Sequence, residues 1–251
     1  MRVLVLSDIH SNLEALEACL AAAPACDLVA NLGDLVGYGA SPNEVIERVR
    51  ALGGVFVRGN HDRAATGQID ISDFNAMASF AALWTRQQLT PENLEWLKTL
   101  PQGPVRRPEV PAAQFVHGSP IDEDDYIVNW SDALPPLITA AASLTFFGHT
   151  HHQGGFFART QTAETFQPTY KTTEWTDRCE WRLRKNQHYL INPGSVGQPR
   201  DGDWRAGFAI FDDEPYAVTF YRVPYNLQRA QERILAAQLP ERLSARLALG
   251  R

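Results

Sequence analysis

Five short apolar segments of the chain each run into a turn that carries aspartate, asparagine or histidine. The first segment, Arg2–Leu6, is followed by Asp8 and His10, whose spacing of two residues places both side chains on one face of an extended chain. The turns after the other four segments carry the rest of the set, which is Asp34, Asn60, His61, His117, His149 and His151.

These side chains offer imidazole nitrogen, carboxylate oxygen and amide oxygen, and no thiolate is among them. Such a donor set suits borderline divalent ions such as manganese, iron, nickel or zinc. A catalytic ion keeps one coordination position open, so the set contains more ligands than a single ion can bind. We therefore predict two divalent ions that share one bridging carboxylate.

The elements between the first turns indicate a parallel sheet. Strands are predicted over Arg2–Leu6, Leu28–Asn31 and 55–57, and they alternate with helices over Leu13–Ala22 and 43–52. This alternation is typical of βαβ units. Because the carboxyl ends of parallel strands share one edge, where ligands bind, the polar turns are expected to converge there.

The rest of the chain contains further helices, further strands and one irregular segment. The helices are predicted over 72–89, 90–98, 132–142, 227–238 and 241–249, and the strands over 113–116, 144–147, 189–191, 208–211 and 217–221. We interpret 156–187 as an insertion of hairpins or loops. With no linker or repeat, the whole chain, 1–251, is expected to form one domain that ends in helices at about 226–250.

Composition narrows the classes of function. The 251 residues are 44% hydrophobic with a net charge of −6, and no dense run of lysine and arginine is present, so no long nucleic acid is expected as a partner. No apolar segment approaches the length of a membrane span. Three cysteines without paired spacing favour a reducing compartment, and we expect a cytoplasmic protein. The sequence predicts no particular oligomeric state.

The polar turns together resemble the signature of the calcineurin-like metallophosphoesterase superfamily. The matching blocks occur in order along the chain and are Asp8-x-His10, Gly33-Asp34, Gly59-Asn60-His61-Asp62, His117, and Gly148-His149-Thr150-His151. The segments GDLVGYG at 33–39 and INPGSV at 191–196 are similar to the small bacterial and archaeal phosphodiesterase branch. The resemblance implies an α/β fold, a four-layer αββα sandwich of two mixed β-sheets flanked by helices.

The resemblance also implies a role for each residue of the set. One metal ion would be bound by Asp8, His10 and His151, a second by Asn60, His117 and His149, and both by the bridging Asp34. A hydroxide bridging the two ions would attack phosphorus in line with the leaving group. His61 would lie over the phosphate as general acid or charge stabiliser, with Asp62 holding its other ring nitrogen. The resemblance places Tyr38, Asn192 and Ser195 near the rim, where they would bind substrate, with packing and a turn as the alternatives. Asn12 is expected either to cap the first helix or to reach the phosphate. Arg200 is the best cation for the rest of the substrate, with a surface salt bridge as the alternative.

Three hypotheses for function follow. The leading one is a phosphodiesterase for a small phosphate ester such as a nucleotide or cyclic nucleotide. A phosphomonoesterase, including a protein-phosphatase-like enzyme, would need extra cations, and the candidates are Arg200, Arg58 and Arg63. A non-catalytic scaffold of the same fold is the third, although the intact ligand set argues against it.

Overall fold

The computed structural model describes residues 1–159 and 162–251, which build two mixed six-stranded sheets. The first sheet has the order β3-β2-β1-β11-β12-β9. Its strands are β1 (Arg2–Leu6), β2 (Leu28–Asn31), β3 (Val55–Phe56), β9 (Asp177–Arg182), β11 (Ala206–Asp212) and β12 (Ala217–Val223). Strands β1, β2 and β3 are parallel, as predicted, whereas β1 pairs with β11 in antiparallel register.

The second sheet has the order β4-β5-β6-β10-β7-β8. Its strands are β4 (Val105–Arg106), β5 (Ala113–Phe115), β6 (Leu144–Phe146), β7 (Gly154–Arg159), β8 (Thr162–Phe166) and β10 (Tyr189–Asn192). The central strands β5, β6 and β10 are parallel, and three antiparallel pairs extend them: β4 with β5, β7 with β10, and β8 with β7.

Eight helices lie in the described part of the chain. They are α1 (Leu13–Ala22), α2 (Pro42–Leu52), α3 (Asn60–Thr66), α4 (Ala76–Gln88), α5 (Pro91–Lys98), α6 (Trp130–Thr139), α7 (Leu227–Ala236) and α8 (Glu241–Leu247). Within the same residues, no helix combines the length and the apolar character needed to cross a bilayer.

Alternation along the strands produces the layers. In β1, Val3 and Val5 belong to the core between the two sheets, whereas Leu4 and Leu6 belong to the core under the helices of the first sheet. A third cluster, which includes Leu137, lies between α6 and the outer face of the second sheet. The result is the four-layer αββα sandwich that the sequence resemblance implied.

Two predicted regions differ from the structure. The helix predicted over 72–89 begins only at Ala76, because the Asn75 side chain accepts hydrogen bonds from the backbone of Met77 and Ala78 and caps it there. The segment 156–187, interpreted from the sequence as an insertion of hairpins or loops, contributes strands to both sheets. Its strands β7 and β8 complete the second sheet, and β9 forms an edge of the first. Within that segment, Thr160 and Gln161 lie outside the described residues.

Candidate metal centre

The polar turns converge, but they come from two sheets rather than from one edge of a single sheet. Asp8 and His10 follow β1, and Asp34 follows β2 in the first sheet. His117 and His149 follow β5 and β6 in the second sheet. The prediction of one shared edge was therefore wrong, because βαβ rhythm does not reveal where a new sheet begins. The ends of both sheets nevertheless meet at one place.

The ligand turns are unusually sharp. Five residues of the set have left-handed backbones with φ between 48° and 63°, namely Asp8, His10, Asp34, His149 and His151. Side chains other than glycine seldom adopt this conformation, which costs of order 1–3 kcal/mol per residue. Hydrogen bonds between neighbouring turns hold the backbone there, for example from the amide of His10 to the carbonyl of Asp34 at 2.9 Å.

The side chains form two groups that share one carboxylate. In each group, one potential ligand atom per residue lies within 4.8 Å of all the others. The first group is Asp8, His10, Asp34 and His151, and the second is Asp34, His117 and His149. Asn60 joins the second group, since its Oδ1 lies 3.2 Å from Nε2 of His117. All seven residues expected as metal ligands thus lie in one cluster.

Main-chain carbonyls fix the orientation of three imidazoles. A carbonyl can only accept a hydrogen bond, so each Nδ1 must carry a proton, and each Nε2 offers a lone pair to the cluster whenever the ring is neutral. The donors and acceptors are His10 to Val36 at 3.1 Å, His117 to Leu32 at 2.8 Å and His151 to Gln198 at 2.5 Å. Backbone support of this kind is typical of metal-binding histidines.

The donor atoms fit divalent cations. Nε2 of His10 and Nε2 of His151 face each other at 3.1 Å, and both are acceptors in the tautomers just described. Asp8 Oδ1 lies 3.3 Å from the same His151 nitrogen and has no hydrogen-bond partner within the protein, although it is buried. Converging buried lone pairs repel one another unless a cation lies among them.

Burial sets the charge state of most of the cluster. It lowers the pKa of His149 to about 3 and the pKa of His10 and His151 well below the usual value, so these rings are neutral. Burial also opposes charge on Asp34 and His117, but each stabilises the other. The pKa of Asp34 is held well below its usual value, and the pKa of His117 rises to about 9. Neutral imidazoles around an ionised carboxylate are a cation-binding set.

His61 stands beside the cluster without belonging to it. Its backbone amide donates to Asp34 Oδ1 at 2.8 Å, and its ring lies 4.4 Å from the ring of Tyr38. The ring fits because residue 37 is glycine, with φ of 94°, where a Cβ would come within 2.8 Å of His61 Nδ1. Within the described residues, Nδ1 has no hydrogen-bond partner.

The expected contact between His61 and Asp62 is not present. Both Asp62 oxygens accept backbone amides, from Val36 at 3.2 Å and from Gly59 at 3.0 Å. Asp62 is the third residue of α3, and its carboxylate accepts the backbone amide of Gly59, the residue that precedes that helix. The prediction that Asp62 holds His61 was therefore wrong, and Asp62 instead fixes the turn that presents His61.

Three residues expected to bind substrate have their polar atoms engaged inside the protein. Asn12 caps α1 and donates to a backbone carbonyl at 3.0 Å. Asn192 donates to the carbonyl of Gly148 and to Thr150 Oγ1, and Ser195 Oγ donates to the carbonyl of Asp8 at 2.8 Å. We therefore correct the expectation for Asn12, Asn192 and Ser195, which brace the ligand turns from within.

Tyr38 and Arg200 both lie beside the ligand cluster. The Tyr38 ring is 4.8 Å from the ring of His10, and the guanidinium of Arg200 lies 5.8 Å from the Tyr38 ring. Arg200 also acts on the ligand cluster. After burial, its charge is the largest influence that lowers the pKa of His151.

A cleft of about 450 Å³ opens beside the cluster. Besides Tyr38, Asn60, His61 and His149, its lining includes Phe74, Tyr126, Asp70, Asp73 and Asp124. The Tyr126 ring lies 3.8 Å from the ring of His149 and is half exposed. Neither Tyr126 nor Phe74 was identified from the sequence as a residue of the site, because each lies in an irregular segment whose position only the tertiary fold determines.

Fold and site together define a metallophosphoesterase. The sequence profile of the calcineurin-like phosphoesterase superfamily domain matches residues 1–214, and the chain belongs to this family. The family and the fold that the sequence predicted are thereby confirmed. A member of this family is a hydrolase of phosphate esters, and the buried histidine and aspartate cluster suits divalent metal ions.

Three relatives resemble the chain along nearly its whole length. A metallophosphoesterase from Sphaerobacter thermophilus, known from its crystal structure, is 39% identical, with a TM-score of 0.83 over 100% of this chain and 99% of that one. An uncharacterized protein of Methanocaldococcus jannaschii is 36% identical over 99% of this chain and 98% of its own. A hypothetical protein from Pyrococcus horikoshii OT3 is 21% identical and shares the fold, with a TM-score of 0.79 over 100% of this chain and 98% of its own.

Proposed function

We propose that the protein is a phosphodiesterase that binds two divalent ions and hydrolyses a small phosphate ester, such as a nucleotide. The observation that carries the proposal is the position of Asp34, which belongs to both ligand groups. A carboxylate with two oxygens can bind one ion with each, and paired ions of this kind are typical of phosphate ester hydrolysis. Manganese, iron, nickel and zinc suit the donor set.

Different residues of the chain would have different roles in the reaction. Bound divalent ions supply charge that polarises the phosphoryl group and lowers the pKa of water. Asp8, Asp34 and the four imidazoles would hold those ions in buried positions. His61 would donate a hydrogen bond to a phosphate oxygen or to the leaving oxygen, because its ring borders both the cluster and the cleft.

Charge around the cleft favours a diester over a monoester. A dianionic monoester needs more cations than a monoanionic diester. Of the cations considered from the sequence, Arg58 and Arg63 are already paired with Glu123, and Arg63 also contacts Asp124. Arg200 lies against the ring of Tyr38 and is not among the described residues that line the cleft. The described residues that line the cleft include three aspartates and neither lysine nor arginine.

The proposed setting is the cytoplasm. Cys19, Cys26 and Cys179 are all free thiols in the structure, which suits a reducing compartment. The net charge of −6 and the acidic cleft also favour a small substrate over a long nucleic acid.

The test is a direct comparison of two chromogenic esters. Metal-stripped protein is reloaded with manganese, nickel, iron, zinc or magnesium and assayed on bis-p-nitrophenyl phosphate and on p-nitrophenyl phosphate. We expect faster cleavage of the diester, loss of that activity in Asp34→Asn, and normal activity in Glu47→Gln. The second variant makes the same charge change on an exposed residue of α2.

Two outcomes would contradict the proposal. A preference for the monoester would indicate a phosphomonoesterase. Two bound ions without hydrolysis of either ester, or of a panel of nucleotide diesters, would favour a non-catalytic scaffold. The metal content of each reloaded sample, measured by plasma mass spectrometry, separates loss of chemistry from loss of metal.

A further inference from the structure

Two arginines share the ring of Tyr38 beside the metal centre. The guanidinium of Arg200 lies 5.8 Å from the centre of the ring, and that of Arg246 lies 5.7 Å from it. The same ring packs against His10 and His61 at 4.8 Å and 4.4 Å. Two cations therefore stand one aromatic ring away from the ligand cluster.

Neither arginine pairs with an acidic side chain. Among the described residues, no side-chain carboxylate lies within ion-pair distance of Arg200 or Arg246. Arg200 donates to the amide oxygen of Gln198 at 3.1 Å, and its buried Nε has no partner. Arg246 donates to the main-chain oxygen of Arg251, the last residue, so the terminal carboxylate is the anionic group beside it. Burial, and then the charge of Arg200, lower the pKa of Arg246, so the two cations destabilise each other.

The carboxylates next to Arg200 in sequence are committed elsewhere. Asp201 contacts Arg222, and Asp203 binds Arg205 through both oxygens. Two half-buried like charges that share one terminal carboxylate keep an unbalanced positive charge, which is unfavourable in a folded protein unless a further anion joins them. The arrangement is therefore that of an anion-binding site, since planar guanidiniums match phosphate oxygens geometrically.

We propose that Arg200 and Arg246 form a subsite for a second phosphate group of the substrate. This inference rests on the proposed function, in which the first phosphate lies at the metal centre. The substrate would be a phosphodiester that carries a further phosphate one sugar-sized spacer away, as in a dinucleotide with a terminal phosphate. A cyclic mononucleotide has one phosphate and would leave the arginines unused.

The fold builds this subsite with a helix that the matched family range does not contain. Helix α8 is anchored by Leu243 and Leu247, which are buried in the core under the first sheet. Those two contacts hold Arg246 over Tyr38. The profile match ends at residue 214, so the helix adds a specificity residue to a centre that the preceding sequence forms.

The experiment uses ligands that differ by one phosphate. Binding of thymidine 5′-phosphate and of thymidine 3′,5′-bisphosphate to the metal-loaded protein is measured by calorimetry at two salt concentrations. We expect the bisphosphate to bind about tenfold tighter or better, with an advantage that shrinks as salt rises. Turnover is compared in parallel on thymidine 5′-(p-nitrophenyl phosphate) and its 3′-phosphorylated analogue.

Variants identify the residues responsible. Arg246→Ala and Arg200→Ala should each bring the ratio of the two affinities toward one, and Arg246→Lys should retain part of it. Arg229→Ala is the matched control, because Arg229 lies on α7 and already pairs with Glu14. It should leave the ratio intact. Thermal denaturation of each variant checks that it folds, and Arg246→Gln replaces Arg246→Ala if the latter does not.

The outcomes separate this inference from the proposed function. Equal affinity for the two ligands in the wild-type protein, or a full advantage retained in Arg246→Ala, would overturn the phosphate subsite even if diesters are hydrolysed. An affinity advantage without hydrolysis of any diester would instead refute the phosphodiesterase and leave the subsite standing.

Discussion

Four arginines in the last third of the sequence form two pairs with opposite surroundings. Arg205 is fully buried, and it binds both oxygens of Asp203 and the carbonyl of Trp175. Arg222 contacts Asp201 and donates to the carbonyl of Arg205 at 3.1 Å. Every charge in this first pair, which we call the closed pair, is balanced inside the protein.

Arg200 and Arg246 form the open pair, which pairs with no acidic side chain among the described residues. Buried charges that stabilise a fold need partners, so two arginines without acidic side-chain partners indicate a ligand. The same contrast holds between two pairs of polar residues. The side-chain polar atoms of Asp62 and Asn192 have hydrogen-bond partners, whereas Asp8 and His61 each have a buried side-chain atom without one. Changes at closed groups should therefore reduce stability or metal affinity, and changes at open groups should reduce activity.

The largest expected effect is at His61, an open group. We predict that His61→Ala lowers kcat for diester hydrolysis by roughly 10²–10⁴-fold, because a hydrogen-bond donor at the reacting phosphate is lost. Metal content and the melting temperature should stay as in the wild type. His188→Ala, which removes an imidazole that donates to Leu137 far from the cluster, is the control. Full activity in His61→Ala with metal bound would remove this residue from the mechanism.

The closed pair should respond through stability. Arg205→Ala should lower the free energy of unfolding by about 3–5 kcal/mol, because it leaves the Asp203 carboxylate without its partner. Urea denaturation of the metal-free protein measures this. Arg48→Ala removes an arginine whose ion pair with Glu17 is exposed, and it should cost less than about 1 kcal/mol. Similar losses in both variants would contradict the distinction.

Asn192 tests the distinction between closed and open groups. It was predicted from the sequence to bind substrate, whereas in the structure it lies behind the turn that carries His149. We expect Asn192→Ala to weaken metal binding about 10–100-fold, because the carbonyl of Gly148 and the hydroxyl of Thr150 lose their donor. At saturating metal, KM should remain unchanged. A raised KM with normal metal affinity would restore the substrate-binding role. Asn186→Ala, on an exposed turn, serves as the reference.

The smallest expected effect is on how the free energy of unfolding depends on pH under acidic conditions. Burial opposes ionisation of Asp203, but its hydrogen bonds with Arg205 hold its pKa below the usual value. A carboxylate with a depressed pKa stabilises the fold above its unfolded pKa of about 4, and that stability is lost as the pH falls further. We expect unfolding free energies of Asp203→Asn to depend less on pH below about 4 than those of the wild type. Parallel curves would show that this carboxylate contributes nothing to acid sensitivity.

Local pattern was enough to predict much of the fold. Strand β1 and helix α1 have the predicted bounds, because an apolar run and an Asn12 cap are signals contained within a few residues. Helix α3 was missed, since its start after Gly59 depends on the Asp62 carboxylate accepting the Gly59 amide, and six of its seven residues are buried without an amphipathic period. Strand β4 has two residues and exists only through pairing with β5.

The metal-binding residues of the site could be predicted from the sequence, but the contacts that hold them in place could not. Asp34 and the histidines were identified because strand-end turns mark them in sequence. The braces made by Asn192 and the ring of Tyr126 on His149 depend on contacts between distant segments, which no local spacing encodes. Arg246 is the extreme case, because it reaches Tyr38 from the last helix of the sandwich.

The left-handed turns around the metal centre have a consequence for protein engineering. Sequence optimisation for thermal stability commonly replaces residues at positive φ with glycine or asparagine, which adopt that conformation with less strain. Applied to this chain, the procedure would select Asp8, His10, Asp34, His149 and His151 among its first targets. The result would be a more stable protein that has lost five of its metal ligands. At these five residues, the substitutions that relieve backbone strain are the ones that remove the metal centre.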